Sequence, residues 1–248
     1  MAQLYRDFTE YALGDSIANG DITDIELHAD AIGYPSEIIE YDVSESGRAM
    51  HLQRGGFTDS GAWTFPELDG LNPSQGEVYT EYAGYNDDDH RVLRFGGCSH
   101  VGGDNWYGAS HRANHLRTLF RVDNGEPTTL ADGEQVGSTD ANRLMCLRYQ
   151  WDDDGTTVTL RMKSWYKDTP EPSTWSIETT DSAFAGLGGK LGWTVNSNAN
   201  RQTAMCFVGI GTDGDPAPTE PVSAGPTTPT NLTTTDITAD SFRAGWTA

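Results

Sequence analysis

The chain has 248 residues and a formal net charge of −21, with 37 acidic residues against 16 basic ones. A phosphate backbone needs a basic footprint, so this balance excludes general affinity for nucleic acid. No apolar run nears the roughly 20 residues that span a bilayer, so no membrane insertion is expected. Seven Trp, ten Tyr and eight Phe supply core for a folded domain rather than a disordered one, and the acidic surface suits saline water.

The opening stretch "MAQLYRDFTEYALGDS" has no cationic head, apolar run and small-residue cleavage site, so production without export is expected. Helical periodicity is almost absent. Short runs rich in Val, Ile, Thr and aromatics recur between turn residues, which predicts an all-β sandwich. In "IIEYDVSESGRAMHLQR" Ile39, Tyr41 and Val43 form one apolar face, Glu40 and Asp42 share the other, and Ser44 to Gly47 read as a turn into the next strand.

Further along, Trp63, Tyr79, Tyr82, Tyr85, Trp106 and Tyr107 fall near glycines and acidic or amide residues. Sugar recognition needs flat apolar faces beside such polar hydrogen-bonders. Tyr85, Asn86, Asp104, Asn105 and Trp106, on loops expected to border one edge or face of the sandwich, are therefore the candidate carbohydrate-binding residues. The segment also holds Cys98, His100, His111 and His115. Structural zinc sites prefer two to four residues between paired ligands, and Cys98 and His100 have one, so no metal site is assigned. "NDDDH" (86 to 90) and "WDDDG" (151 to 155) offer oxygens to calcium without the DxDxDG spacing of a dedicated loop. Solvated turns are the expectation, and no cofactor is assigned, calcium being the one candidate ion.

The clearest strand pair is "RLMCLRYQW" and "TTVTLRMKSWY", joined by "DDDG", with Asp154-Gly155 as the hairpin signal. Val158, Leu160 and Met162 alternate with Thr157, Thr159, Arg161 and Lys163, giving one buried and one wet face. Cys146 and Cys206 sit inside apolar strand patterns and read as buried thiols; if any two cysteines bridge, these two on neighbouring strands are the expected pair. Composition changes at residue 213. Residues 213 to 230, "DGDPAPTEPVSAGPTTPT", hold five of the eleven prolines and no aromatic, as a semi-extended linker would.

Two stretches resemble known families. Residues 231 to 248, with Leu232, Ile237, Phe242 and Trp246 in strand-like alternation, resemble the opening of a fibronectin type III domain. Two strands cannot bury a sandwich core, so a fragment of a longer protein is expected. "EYDVSE" (40 to 45) resembles the catalytic strand of the concanavalin A-like glucanases, where one Glu is nucleophile and the other acid/base. A retaining glycosidase needs its carboxyl groups roughly 5 to 5.5 Å apart, whereas residues 40 and 45 lie about 16 Å apart along an extended strand.

Over about 210 residues, the order of features resembles a concanavalin A-like, laminin G-like jelly roll of the kind carried by tailed-phage virion proteins. The pattern comprises Asp7-Phe8-Thr9, the hairpin "EYDVSESGRAMHLQR", "YGASHRANHLRTLFRVDNGEPTTLA", and then Trp165, Glu171-Pro172, Trp175 and Thr180-Asp181-Ser182 before a Gly-rich turn. This resemblance implies a jelly-roll sandwich over residues 1 to 212 and a structural or adhesion role without catalysis. It places the protein on the virion after release by lysis, with other virion proteins and copies of itself as partners in a homo-oligomer, and a host-surface glycan as ligand. The alternatives are a glucanase-like glycoside hydrolase using Glu40 and Glu45, and a cellular carbohydrate-binding lectin.

Overall fold

The structure is a computed structural model, and it describes residues 3–17, 19–28, 36–53, 60–84, 93–111, 116–135, 143–197 and 202–221. The strands are β1 (Gln3–Arg6), β2 (Glu26–His28), β3 (Ser36–Glu40), β4 (Arg48–Gln53), β5 (Ser60–Thr64), β6 (Gln75–Gly84), β7 (Leu93–Gly102) and β8 (Asn105–His111). They continue as β9 (Leu116–Asp123), β10 (Glu126–Gln135), β11 (Met145–Asp153), β12 (Val158–Tyr166), β13 (Ile177–Asp181), β14 (Lys190–Ser197) and β15 (Gln202–Thr212). One short 3-10 turn covers Pro66–Leu68, and no helix among the described residues is long and apolar enough to cross a membrane.

Two antiparallel sheets face each other as a jelly-roll sandwich, as the alternation predicts. The eight-stranded sheet runs β13-β12-β11-β6-β15-β4-β3 with β1 added on β15, and the seven-stranded sheet runs β10-β9-β8-β7-β14-β5-β2. Side chains alternate across each strand, so every second residue enters the space between the sheets. On β12 these are Val158, Leu160 and Met162, while Thr159, Arg161 and Lys163 face outward. The turn before β12 spans Asp154 to Thr157, four residues rather than two, with Gly155 at φ +86° and the Asp154 carboxylate accepting the backbone N–H groups of Thr156 and Thr157.

The core is aromatic. Trp63 and Trp193 stack at 5.9 Å, Phe65 tilts against Trp193 at 5.2 Å, and Tyr149 stacks on Trp151 at 6.0 Å. Val78, Tyr82, Leu147, Leu160, Val208 and Ile210, on the same eight-stranded sheet as Tyr149 and Trp151, fill the space opposite Trp63 and Trp193. Each such side chain stabilises the fold by roughly 1.5–3 kcal/mol through removal from water.

Polar side chains bolt the sheets together where the core thins. Arg117 on β9 donates to the Ser164 hydroxyl and carbonyl on β12, at 3.0 and 2.8 Å. Asp181, from the stretch "TDS", accepts from the Tyr107 hydroxyl at 2.6 Å and from Arg121 at 2.8 Å. A third bolt runs Tyr149–Ser99–His100–Asp153, at 2.8, 2.9 and 3.0 Å. A carboxylate only accepts, so His100 Nε2–H donates to Asp153, Nδ1 accepts the Ser99 proton, and Ser99 Oγ accepts from Tyr149. Ser99, His100 and Asp153 are the residue types of a hydrolytic triad, yet all three are buried and line none of the described pockets.

These contacts engage Asp153 and His100 from the candidate metal clusters. Asp153 accepts the backbone N–H groups of Gly155 and Gly186 as well as His100, so "WDDDG" is a turn closed on itself. Cys98 packs with Trp106 and Phe120, away from the His100–Asp153 bond, and no three metal-ligating side chains converge among the described residues. His115 and residues 86 to 90 lie outside the described residues.

The placing of Cys146 and Cys206 on neighbouring strands is corrected. Cys146 on β11 stands opposite Glu81 on β6, and Glu81 stands opposite Phe207 on β15, so β6 runs between the two cysteines. Two strand spacings make about 9.6 Å, beyond the roughly 7 Å that a disulfide tolerates between Cα atoms. Cys98, Cys146 and Cys206 are all buried free thiols. Burial pushes each thiol up, Cys146 to about 12. Titration with a thiol reagent is therefore expected to find none reacting rapidly in the native protein and all three after denaturation.

The His100 bolt gives the fold an acid limit. Burial lowers the His100 pKa from its ordinary 6.5, and the opposing pull of Asp153 does not restore it. As pH falls below about 6.5 the unfolded chain takes up a proton that folded His100 refuses, so this contribution is full above that pH and lost as pH falls through the folded pKa. Melting temperature is expected to drop between pH 7 and 5, with a shallower drop in His100→Gln. An equal slope in both proteins would contradict this account.

Candidate functional site

On β6, Val78 and Tyr82 point into the core, which sends Glu77, Tyr79 and Glu81 to the outer face of the eight-stranded sheet. Neighbouring strands add Cys146, Arg148, Lys163, Trp165 and Phe207 to that face. Tyr79 tilts against both Trp165 and Phe207 at 6.0 Å, and Tyr5 on β1 stacks on Phe207 at 6.0 Å. Arg148 bonds Glu77 and chelates Glu171 at 2.8 and 3.0 Å, and Lys163 reaches Glu171 at 2.7 Å. Burial works against the Arg148 charge, but the carboxylates of Glu171 and Glu77 outweigh it and raise its pKa. Buried charge on this face is paired, as a low-dielectric surface requires.

The chain then doubles back over its own last strand. Asp213 (φ +55°) and Gly214 (φ +90°) reverse it, and residues 215 to 221 lie across β15 as a strap. The Ala217 N–H donates to Glu77 at 3.1 Å, Gln3 donates to the Pro216 carbonyl at 2.8 Å, and Ala217 is only 4% exposed. A Cβ on Gly209 would lie 2.1 Å from the Pro218 carbonyl oxygen, and one on Gly211 would lie 2.2 Å from that of Asp215. Glycine at both positions is what lets the strap lie flat. The linker expected from residue 213 is thus docked as far as Pro221. Residues 222 to 248, including the fibronectin-like stretch, lie outside the described residues.

Where the strap ends, a pocket of about 250 Å³ opens. Glu81, Cys206 and Phe207 form its floor, and Thr219, Glu220 and Pro221 of the strap form one wall. The β3–β4 turn contributes Ser44, Glu45 and Ser46, and the turn after β1 contributes Asp7 and Thr9. The latter follows from "DFT": Phe8 adopts φ +67° and plunges into the core, which turns Asp7 and Thr9 outward, tied by the Thr9 hydroxyl donating to Asp7 at 2.7 Å.

Glu81 is the electrostatic centre of the pocket. Its Oε1 accepts from the Tyr79 hydroxyl at 2.6 Å and from Lys167, whose ammonium also stands 3.5 Å from Glu45. Burial would lower the Lys167 pKa, and the bond to Glu81 raises it instead. Glu40 is exposed at the end of β3, opposite Arg48, and does not line the pocket. The hairpin behaves as the alternation predicts: Ile39, Tyr41 and Val43 pack together against Ala49, Ala83 and Cys206.

The candidate sugar residues fare differently. Trp106 is 0% exposed within a cluster of Ala62, Cys98, Val101, Phe120 and Val122, so it is corrected from a surface platform to packing. Asn105 accepts the Asn124 N–H at 2.7 Å and the Asp104 carbonyl accepts the Gly125 N–H at 3.0 Å, which locks the β7–β8 turn to the β9–β10 turn. The Asp104 side chain is exposed. Tyr85 and Asn86 lie outside the described residues. Trp63, Tyr79, Tyr82 and Tyr107 are buried.

No family model and no curated protein sequence matches the chain. Solved structures do. One is the GH43 BlXynB protein from Bacillus licheniformis, 12% identical with a TM-score of 0.51 over 84% of this chain and 39% of that one. Another is the carbohydrate-binding module CBM66 from Bacillus subtilis, 15% identical with a TM-score of 0.46 over 71% of this chain and 94% of that one. A third is the CBM2 module of the evolved Dit of Lactobacillus casei BL23 phage J-1, 12% identical with a TM-score of 0.45 over 86% of this chain and 96% of that one. At these identities the likeness is one of fold: the chain is an all-β sandwich of the concanavalin A-like, jelly-roll type.

Proposed function

We propose that this chain is a non-catalytic, lectin-like module of a virus particle, a structural and adhesion element of tail, fibre or capsid surface that binds host-surface glycans. The observation that carries the non-catalytic part is the placing of Lys167 between Glu45 and Glu81. Glycoside cleavage by paired carboxylates needs one protonated acid and one free base or nucleophile. Here a single ammonium holds both carboxylates, and the other member of the ExDxxE pattern, Glu40, stands outside the pocket. What remains is a set of acceptors and hydroxyls beside an aromatic floor, which is the chemistry of holding a sugar.

The virion part is supported by the order of sequence features from Asp7-Phe8-Thr9 to Thr180-Asp181-Ser182, which resembles that of phage virion modules. Partners in this reading are other virion proteins and further copies of the chain, whose weak individual contacts add through avidity. Mass spectrometry of purified particles is expected to find the chain; its absence from particles overturns the virion assignment. On an array of host-surface glycans the protein is expected to be retained without releasing reducing sugar. Glucan hydrolysis that disappears in Glu45→Gln would overturn the non-catalytic reading.

A further inference from the structure

We propose that the strap, residues 215 to 221, is a working part of the pocket, and that the assembled pocket takes a single uncharged or amino sugar ring while rejecting acidic sugars. This rests on the glycan-binding reading above.

The first half follows from geometry. Without Thr219, Glu220 and Pro221, the floor of Glu81, Cys206 and Phe207 loses one wall and is flanked only by the turns at Asp7 to Thr9 and Ser44 to Ser46. Those three residues hold their place because the strap behind them is seated at defined points. Glu77 grips the Ala217 N–H, Gln3 grips the Pro216 carbonyl, and two glycines of β15 leave room for the strap backbone. At about 250 Å³ the pocket falls below the roughly 300–1,000 Å³ of sites for drug-sized ligands, which suits one ring rather than a chain of them.

The second half follows from hydrogen-bonding capacity. Glu81 is 3% exposed, and both of its bonds from described residues, Tyr79 and Lys167, fall on Oε1. Its second oxygen, Oε2, has no donor among the described residues although Glu81 lines the pocket. A carboxylate oxygen at the pocket lining that has no protein donor can accept one from a ligand, so a ligand hydroxyl or ammonium that supplies it is favoured. Asp7, Glu45 and Glu220 stand around it, and the nearby cation, Lys167, is engaged by Glu81 and Glu45. A sugar carboxylate would meet these charges head on. Hydroxyls donate to them, an amino group does so with charge assistance, and Phe207 offers the apolar contact a sugar ring needs.

Saturation-transfer NMR on the full chain, with methyl glucoside, glucosamine and glucuronate as probes, tests both halves. Transfer is expected to methyl glucoside and glucosamine and not to glucuronate. Ala217→Arg, which unseats the strap, and Thr219→Arg, which fills the pocket from an exposed strap position, are each expected to weaken binding at least tenfold with the sandwich still folded by near-UV circular dichroism. If Ala217→Arg does not fold, Thr219→Arg alone decides. Binding of glucuronate on a par with methyl glucoside overturns the selectivity, and full binding by a folded variant overturns the role of the strap. Wild-type protein that binds glycans on the array but none of the three probes overturns this pocket assignment alone; protein that binds neither overturns the glycan-binding reading with it.

Discussion

Strand β6 runs between β11 and β15, and its alternation obliges the eight-stranded sheet to be apolar on one side and charged on the other. Val78 and Tyr82 satisfy the core, so Glu77 and Glu81 have to be neutralised on a face that further chain then covers. Each solves the problem with a cation from elsewhere, Arg148 for Glu77 and Lys167 for Glu81. Everything distinctive about that face depends on these two pairings: the seat of the strap on Glu77, the floor of the pocket at Glu81, and the tether to Glu45 on the β3–β4 turn.

The same economy governs the three lysines of an otherwise acidic chain. Lys163 is held by Glu171, Lys167 by Glu81 and Glu45, and Lys190 by Glu26 and Asp69. The more exposed of these pairs, such as Lys190 with Glu26, contribute little to stability. The effect of the pairs is instead to fix geometry: Lys167 and Lys190 tie together segments far apart in sequence, and Lys163 holds the nearby stretch at Glu171 to β12. The negative charge that dominates the composition is therefore relieved at chosen points, while the pocket rim keeps Asp7, Glu45 and Glu220.

Much of the sandwich was legible before any coordinates. Period-two alternation identified the inward residues of β12 and the apolar side of the stretch from Ile39 to Val43, because a strand cannot present both faces to the core. Alternation does not say which strands become neighbours or what lies over a face. For that reason Cys146 and Cys206 read as residues of neighbouring strands although β6 separates them, and Trp106 read as a platform although its side of the sheet is covered. The strap was hidden by chemistry: an extended proline-rich segment has no internal hydrogen bonds, so solvated and docked versions share one composition. The available signal was "FVGIGTDG". Glycine at alternate positions inside a strand marks the close approach of another backbone, and Gly209 and Gly211 meet the strap there.

The direction of the strap matters once the molecule is under tension. It runs backward over β15, with its first residues near Gly211 and its last ones at the pocket above Phe207. A pull on the chain beyond Pro221 therefore acts as a peeling force, and the peel starts at the pocket wall before it reaches the bonds at Ala217 and Pro216. Mechanical stress on the chain after residue 221 would thus be read first as an opening of the pocket wall.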